Sequence, residues 1–384
     1  MRTTRATRLV PLWDRNDEWR RRLEMVAAAR DFLYASTYYL EYDRYGIEFL
    51  DALDEACRRG VAVHLLLDGF GQTLGGVLMA DEAKRALSSR LDTLRQAGAT
   101  VTVYRPRFPI QRRLGGGQHV KIQVSEAGEA IFGSSNLTAS SFEHWHEFSV
   151  ALRGPVVPVL LESYCALGGA VDDNHGAYLR TTVSPDPGLD LDYWFCNPNL
   201  AQGRLGPLGW RGPNEVTDRM VALINGARTS VQLTAFYFKP IPSLLTAVEA
   251  AARRGVRVEV YHSHRDALDA TDLAWIAAAA SYDRLLDAGI QIWEHRGGEH
   301  SKIVLVDDER VSFGSYNFED AAHDRLAEAM LETTDGAMVE EAREIFQRLA
   351  ADPAQVRVTP RFRTSLPAVL RLRLSVMRHF KRWM

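Results

Sequence analysis

The stretch FLYASTYYLEYDRYGIEFLDALDEACRRGVAVHLLLD, residues 32–68, returns in altered form as VQLTAFYFKPIPSLLTAVEAAARRGVRVEVYHS, residues 231–263. Each copy opens on an apolar, aromatic run, passes through an amphipathic segment, and reaches Arg-Arg-Gly-Val before a second apolar run. In physical terms this is strand, helix, strand. Gly60 and Gly255 fall just past the helix end, where a residue in the left-handed region closes the last turn. The echo continues outward. LDTLRQAGATVTVY (91–104) answers YDRLLDAGIQIWEH (282–295), HVKIQV (119–124) answers HSKIVLV (300–306), and IFGSSN (131–136) answers SFGSYN (312–317). Elements recurring in one order make an internal duplication. Strands alternating with helices predict an α/β fold with helices covering a largely buried sheet, and two such halves predict pseudo-twofold symmetry.

The duplication sets the expected boundaries: a first lobe over 1–173, a crossover over 174–213, a second lobe over 214–352, and a tail over 353–384. The crossover is rich in Gly, Pro, Asn and Asp (SPDPGLDLDYWFCNPNLAQGRLGPLGWRGP), which predicts a connection draped over the surface or the site. At 46% apolar and 25% charged residues the chain is globular rather than disordered or fibrous. A net charge of −3 carries no bulk attraction for nucleic acid. Cys57, Cys165 and Cys196 are scattered and odd in number, against a disulfide framework or a zinc site. The basic N-terminal stretch lacks the apolar core of a secretory signal, and no apolar run of about 18 residues suggests a membrane span. A cytoplasmic location follows as the expectation.

Chemistry enters with His119-Val120-Lys121 and His300-Ser301-Lys302. Alternate side chains of a strand share a face, so each His and Lys stand together while Val120, Ile122 and Val124 in one copy, Ile303 and Leu305 in the other, enter the core. The chain has 46 basic residues, of which only five are lysines, and two of those sit here. A compact ammonium beside an imidazole suits attack on a phosphate anion. Each H-x-K is followed by G-S-x-N, which places Ser134 and Asn136, and Ser315 and Asn317, as expected holders of phosphate oxygens. Eleven residues beyond each Asn stands a glutamate, Glu147 and Glu328, placed to bind the second ring nitrogen of a histidine and fix its tautomer. Two histidines in one site can be driven apart so that one is neutral and the other protonated.

These paired segments resemble the HKD motifs of the phospholipase D superfamily, over most of the chain. Within it they are similar to the bacterial cardiolipin synthase and phosphatidyltransferase branch, through LLLDGFG (65–71), AFYFKP (235–240) and DALDATDLAWIAAAASYDRLLDAGIQIWE (266–294). The resemblance implies two tandem lobes with mixed sheets flanked by helices, and a two-step transfer without metal or other cofactor. It implies His119 as nucleophile, forming a phosphohistidine, and His300 as acid and base. The family pattern H-x-K-x-x-x-x-D is kept by Asp307 in the second motif, whereas Glu126 replaces the aspartate of the first; both acids are expected to tie down a neighbouring turn. A phospholipid substrate is implied, with phosphatidyl transfer, plain hydrolysis and, against the charge balance, nuclease activity as the branches open. A silent membrane scaffold is the non-enzymatic alternative.

Four aromatics, Tyr38, Tyr39, Phe236 and Tyr237, read as core and strand-end residues, one of each pair bordering an acyl-chain entrance. Trp145 reads equally as packing or as site mouth. His262, His264 and His295 lack ligand spacing and are assigned to loops or sheet edges. The tail carries eight Arg and Lys and no acid beyond Asp352. As a helix it aligns Val369, Leu372, Val376, Phe380 and Trp383, with Arg371, Arg378 and Arg382 roughly opposite and Arg373 interrupting the apolar arc. Two outcomes are open: a helix packed on the second lobe, or an interfacial helix drawn to anionic lipid, making the protein peripheral on the inner face of the cell membrane.

Overall fold

The computed structural model describes residues 2–183, 188–200, 212–268 and 272–380 of the chain. The first half runs β1 (Arg2–Ala6), β2 (Arg8–Leu12), α1 (Arg15–Ala28), β3 (Phe32–Thr37), α2 (Arg44–Arg58), β4 (Ala62–Asp68), α3 (Gly69–Leu78) and α4 (Asp81–Gln96). It continues with β5 (Thr100–Tyr104), α5 (Pro109–Arg113), β6 (Gly117–Gln118), β7 (Lys121–Ser125), β8 (Glu129–Gly133) and β9 (Ser149–Arg153). Then follow α6 (Val156–Ala166), α7 (Asp173–Thr182) and β10 (Leu189–Cys196). The second half comprises α8 (Glu215–Asn225), β11 (Ser230–Ala235), α9 (Pro242–Arg253), β12 (Arg257–Ser263), α10 (Leu273–Ala279), α11 (Tyr282–Asp287) and β13 (Gln291–His295). It ends with β14 (Ile303–Val306), β15 (Arg310–Gly314), α12 (Asp320–Asp324), β16 (Leu326–Thr333), α13 (Gly336–Ala351), β17 (Gln355–Arg357), α14 (Phe362–Ser365) and α15 (Ala368–Phe380).

One sheet is ordered β2-β9-β8-β7-β3-β4-β5 and the other β1-β10-β16-β15-β14-β11-β12-β13-β17. Position by position, β10-β16-β15-β14-β11-β12-β13 repeats β2-β9-β8-β7-β3-β4-β5, with three parallel strands at one end and antiparallel strands at the other. The fold is therefore the mixed α/β duplication expected. The turns that close α2 and α9 use Gly60 (φ 87°) and Gly255 (φ 90°), where a side chain would be strained.

The crossover is not simply a surface connection. Its residues 189–196 form β10, which pairs with β16 over Asp192–Cys196 and fills in the second sheet the place of β2 in the first. The alternation Leu191, Tyr193 against Asp190, Asp192 is a half-buried strand pattern that the surrounding Gly and Pro obscured. Strand β1 belongs to the second sheet too, pairing with β10, while β2 two residues later belongs to the first. Residues 201–211 of the crossover lie outside the described residues.

A central core is shared by both sheets: Ile122, Phe132 and Val150 of the first and Ile303, Phe313 and Leu331 of the second join α6 and α13 in one apolar cluster. Phe148 and Phe313 meet edge-on at 5.4 Å across it. Separate outer clusters seat α1, α2 and α4 on the first sheet, and α8, α9, α10 and α15 on the second. No helix among the described residues is long and apolar enough to cross a membrane.

Candidate active site

Each motif histidine is anchored by its backbone to the opposite half. Strand β6 pairs in parallel with the start of β16, and His119 N–H donates to Ala327 O at 2.8 Å. His300 N–H donates to His146 O, also at 2.8 Å. Val120, Ile122 and Val124 are buried in the shared core, as the alternation required.

The side chains cross over as well. Glu328, not Glu147, faces His119, with its carboxylate 3.2 Å from Nδ1. Glu147 faces His300, whose Nδ1 lies 2.8 Å from its Oε1. Each glutamate therefore serves the histidine of the other half. His119 Nδ1 also lies 3.0 Å from Ser315 O, a carbonyl that can only accept. That contact fixes the tautomer: Nδ1 carries the proton and Nε2 keeps a lone pair. Lys121 Nζ donates to His119 O at 2.7 Å, and Lys302 Nζ donates to His300 O.

The serines occupy a different place from the one expected. Ser134 and Ser315 are wholly buried, and their hydroxyls donate to Glu147 and Glu328 rather than facing a phosphate. Each also accepts a backbone N–H, from Phe148 and from Ala329. Asn136 and Asn317 line the same cavity as His119 and His300. Asn136 Nδ2 and Asn317 Oδ1 have no hydrogen-bond partner among the described residues. Outside the cavity, Asp307 accepts from the amides of Arg228, Thr229 and Ser230 and from the Thr229 hydroxyl, which ties down the turn before β11. Glu126 performs the equivalent task with one bond, from Arg30 N–H at 2.7 Å ahead of β3. The longer carboxylate thus reaches its turn, with fewer contacts.

The two halves differ electrostatically. Burial tends to raise Glu147, but the His300 imidazole, the Lys302 ammonium and the Ser134 hydroxyl bring it down to about 2. Burial instead carries Glu328 up to about 8, against the pull of Lys121 and the Ser315 hydroxyl. A residue outside the motif reading marks the difference. Ser141, in the turn Ser140–His144, donates to Glu147 Oε1 at 2.7 Å. Its counterpart in the repeat is Ala322, and Glu328 Oε1 is left without a hydrogen-bond donor among the described residues. Comparing the repeats beyond their shared letters would have found it. Burial, then the Lys121 and Lys302 ammonium groups, hold His119 well below the ordinary imidazole range. Burial lowers His300 too, with the Glu147 carboxylate acting against it. Burial also depresses both lysines, Lys302 to about 8.

The histidines open on one cavity of about 680 Å³ with largely apolar walls. All four aromatics Tyr38, Tyr39, Phe236 and Tyr237 line it, as does Trp145, which stacks on His300 at 5.0 Å. Tyr38 meets His119 edge-on at 4.7 Å, the place Phe236 takes at His300. The mouth is apolar and partly bare: Leu74 and Val77 of α3 line the cavity and are 46% and 63% exposed. Helix α10, whose first residues Leu273 and Ala274 also line the cavity, packs against α15.

The tail corrects one expectation. Helix α15 docks through Leu370 and Leu374, which join the core of the second lobe. Val369, Leu372 and Val376, three of the residues aligned on one helical face, remain exposed at 73%, 66% and 50%. Arg373, which interrupts the apolar arc, pairs with Asp272 at 3.0 Å. Arg382 and Trp383 lie outside the described residues, and of Arg378 and Phe380 only the backbone is described.

Among solved structures, the phosphatidylserine synthase of Haemophilus influenzae has the same fold, with a TM-score of 0.75 over 100% of this chain and 97% of that one at 14% identity. The family model described as cardiolipin synthase, PLD-like domain, matches residues 23–164 and 220–350, and the chain belongs to this family. Curated relatives include cardiolipin synthase 2 of Bacillus cereus, 25% identical over 79% of this chain and 57% of that protein. The major cardiolipin synthase of Bacillus subtilis is 25% identical over 80% of this chain and 61% of its own length. The chain spans about three fifths of the length of the curated relatives it matches.

Proposed function

We propose that the chain is a phosphatidyltransferase acting on phospholipid phosphodiesters, similar in reaction to the cardiolipin synthases. The observation that carries this reading is the crossed pair of His–Glu contacts at a single apolar-walled cavity. His119, with its proton on Nδ1, directs the Nε2 lone pair at phosphorus and displaces the first alcohol, which takes a proton from His300. The phosphohistidine formed is then attacked by a second alcohol. That alcohol gives its proton back to His300, and the N–P bond to His119 breaks. Glu147, held as a carboxylate, stabilises the His300 imidazolium between the steps. Lys121 and Lys302 supply positive charge where the phosphoryl oxygens gain negative charge, and Asn136 offers a free amide donor. The chemistry is thus assigned to nitrogen and ammonium groups of the chain itself, with no cofactor in a step.

Water in place of the second alcohol makes the same machinery a phospholipase D. Mass spectrometry of products from phosphatidylglycerol and phosphatidylethanolamine, with and without added glycerol, separates the two. Transfer predicts cardiolipin or a headgroup-exchanged phospholipid as the main product. Phosphatidic acid alone, at all glycerol concentrations, would establish hydrolysis, and cleavage of oligonucleotides with no lipid product would overturn both.

The bare rim supports a peripheral attachment to an anionic membrane. Val369, Leu372 and Val376 on α15, and Leu74 and Val77 at the cavity mouth, present apolar side chains, with Arg113 of the cavity lining and Arg371 of α15 as cations for lipid phosphate. Replacing Val369, Leu372 and Val376 together by Asp is expected to cut binding to phosphatidylglycerol vesicles several-fold while leaving the melting temperature unchanged. Unaltered vesicle binding would remove α15 from the attachment face. Truncation after Asp352 is a poor substitute for this test, because it removes β17 from the second sheet and Leu370 and Leu374 from the core, and is expected to lower the melting temperature.

A further inference from the structure

Behind the cavity lies a second group of ionisable side chains with no part in the chemistry above. His146 directly precedes Glu147, His295 ends β13, and Asp352 follows α13. Each brings one donor atom to within 4.8 Å of the other two. His295 Nε2 is 3.3 Å from Asp352 Oδ2, and His146 Nε2 is 4.0 Å from the same oxygen. A tetrahedral zinc ion holds nitrogen and oxygen donors at about 2.0–2.2 Å, which spaces them about 3.3–3.5 Å apart. The cluster is within small side-chain movements of that spacing.

The surroundings have the form of a metal site rather than of a chance meeting. His146 Nδ1 is 3.2 Å from Glu299 Oε2, so the ring donates there and turns its Nε2 lone pair toward the cluster. This is the carboxylate–histidine–metal relay that orients metal-bound imidazoles. Glu299 is itself wholly buried and held by Ser301, which accounts for a carboxylate beside a histidine that the catalytic scheme does not use. His295 is 4% exposed, and its Nδ1 has no partner among the described residues. The side chains of His146 and Asp352 are each 27% exposed, which leaves an entry path and room for a water as fourth ligand.

We propose that His146, His295 and Asp352 form a binding site for a single borderline divalent cation, zinc in the first place, with its fourth position open to solvent. The donors come from both lobes, and His146 O holds the amide of His300. A cation here pins the segment carrying Glu147 to the loop carrying His300, and so is a positioning and stabilising element outside the reaction.

The test uses full-length, tag-free protein stripped with EDTA and dialysed against micromolar zinc, followed by metal analysis and thermal melts. The proposal expects about one zinc per chain and a melting temperature raised by zinc. Both should be lost in His295→Ala, and zinc affinity should fall about 10–100-fold in Glu299→Gln. Zinc content should be unchanged in His264→Ala and in the double variant His119→Ala, His300→Ala, which excludes the cavity histidines as the binding site. Should His295→Ala not fold, X-ray absorption of the zinc-loaded natural protein decides, through a first shell of nitrogen and oxygen at about 2.0–2.2 Å with two imidazoles. Less than stoichiometric zinc, full retention in His295→Ala, or sulfur in the first shell would overturn the site.

Discussion

His119→Ala is expected to lower turnover by more than about 10⁴-fold and to leave no phosphorus on the protein, because it removes both the attacking nitrogen and the covalent step. His300→Ala is expected to lose about 10²–10⁴-fold, the usual share of a general acid, and to accumulate intermediate instead. With a phospholipid labelled in the phosphatidyl portion, acid-labile label should remain on His300→Ala after denaturation and be absent from His119→Ala. The motivation is geometric: the Ser315 carbonyl compels His119 to carry its proton on Nδ1, while His300 has a carboxylate well suited to an imidazolium. Label on the His119 variant, lost from the His300 variant, would exchange the two roles. Label on neither in a rapid-quench experiment would end the covalent scheme.

The second large effect concerns the glutamates, which the duplication makes look interchangeable. Glu147→Gln is expected to cost about 10³–10⁴-fold in kcat, comparable with loss of the orienting carboxylate in a hydrolase triad, because it removes the charge that supports protonated His300. Glu328→Gln is expected to cost at least tenfold less. Burial holds Glu328 at about 8, so at neutral pH it already bears the proton that an amide mimics, and the Ser315 carbonyl still orients His119. The sign of the pH dependence follows from that value. Natural Glu328 loses its proton as pH rises through about 8, where the Lys302 ammonium also titrates, so Glu328→Gln is expected to keep only the Lys302 share of the change there. Glu147, held at about 2, contributes no titration in the working range. Equal losses in the two variants at neutral pH, or a bend near 8 in Glu328→Gln as large as in the natural enzyme, would contradict the asymmetry.

The letters H-x-K and G-S-x-N disclosed which residues meet, because a strand shows its face by alternation and a duplication shows its elements by order. They were silent on pairing across the halves. Glu147 and Glu328 stand at the same offset within their own motifs, and an offset along the chain says nothing about which sheet edge turns toward which. Ser134 and Ser315 were misplaced for a related reason: a hydroxyl near a phosphate motif has two polar neighbours to choose between, and the buried carboxylate takes it. In the tail the 3.6-residue period yields two apolar arcs, Val369-Leu372-Val376 and Leu370-Leu374, and only the shape of α10 beneath selects the second for burial. His146, His295 and Asp352 lie too far apart in sequence for any spacing rule to join them.

The crossing of the glutamates bears on how such a chain can change over time. Were each half self-sufficient, one copy of the duplication would be free to decay while the other kept working. Here the half that holds His119 draws its carboxylate from the second copy, and the half that holds His300 draws it from the first. Neither copy can be discarded, exchanged for a more distant version, or produced alone without disarming the other. A single lobe with this arrangement would have to work as a pair, and the duplicated chain carries that mutual dependence as a constraint on divergence.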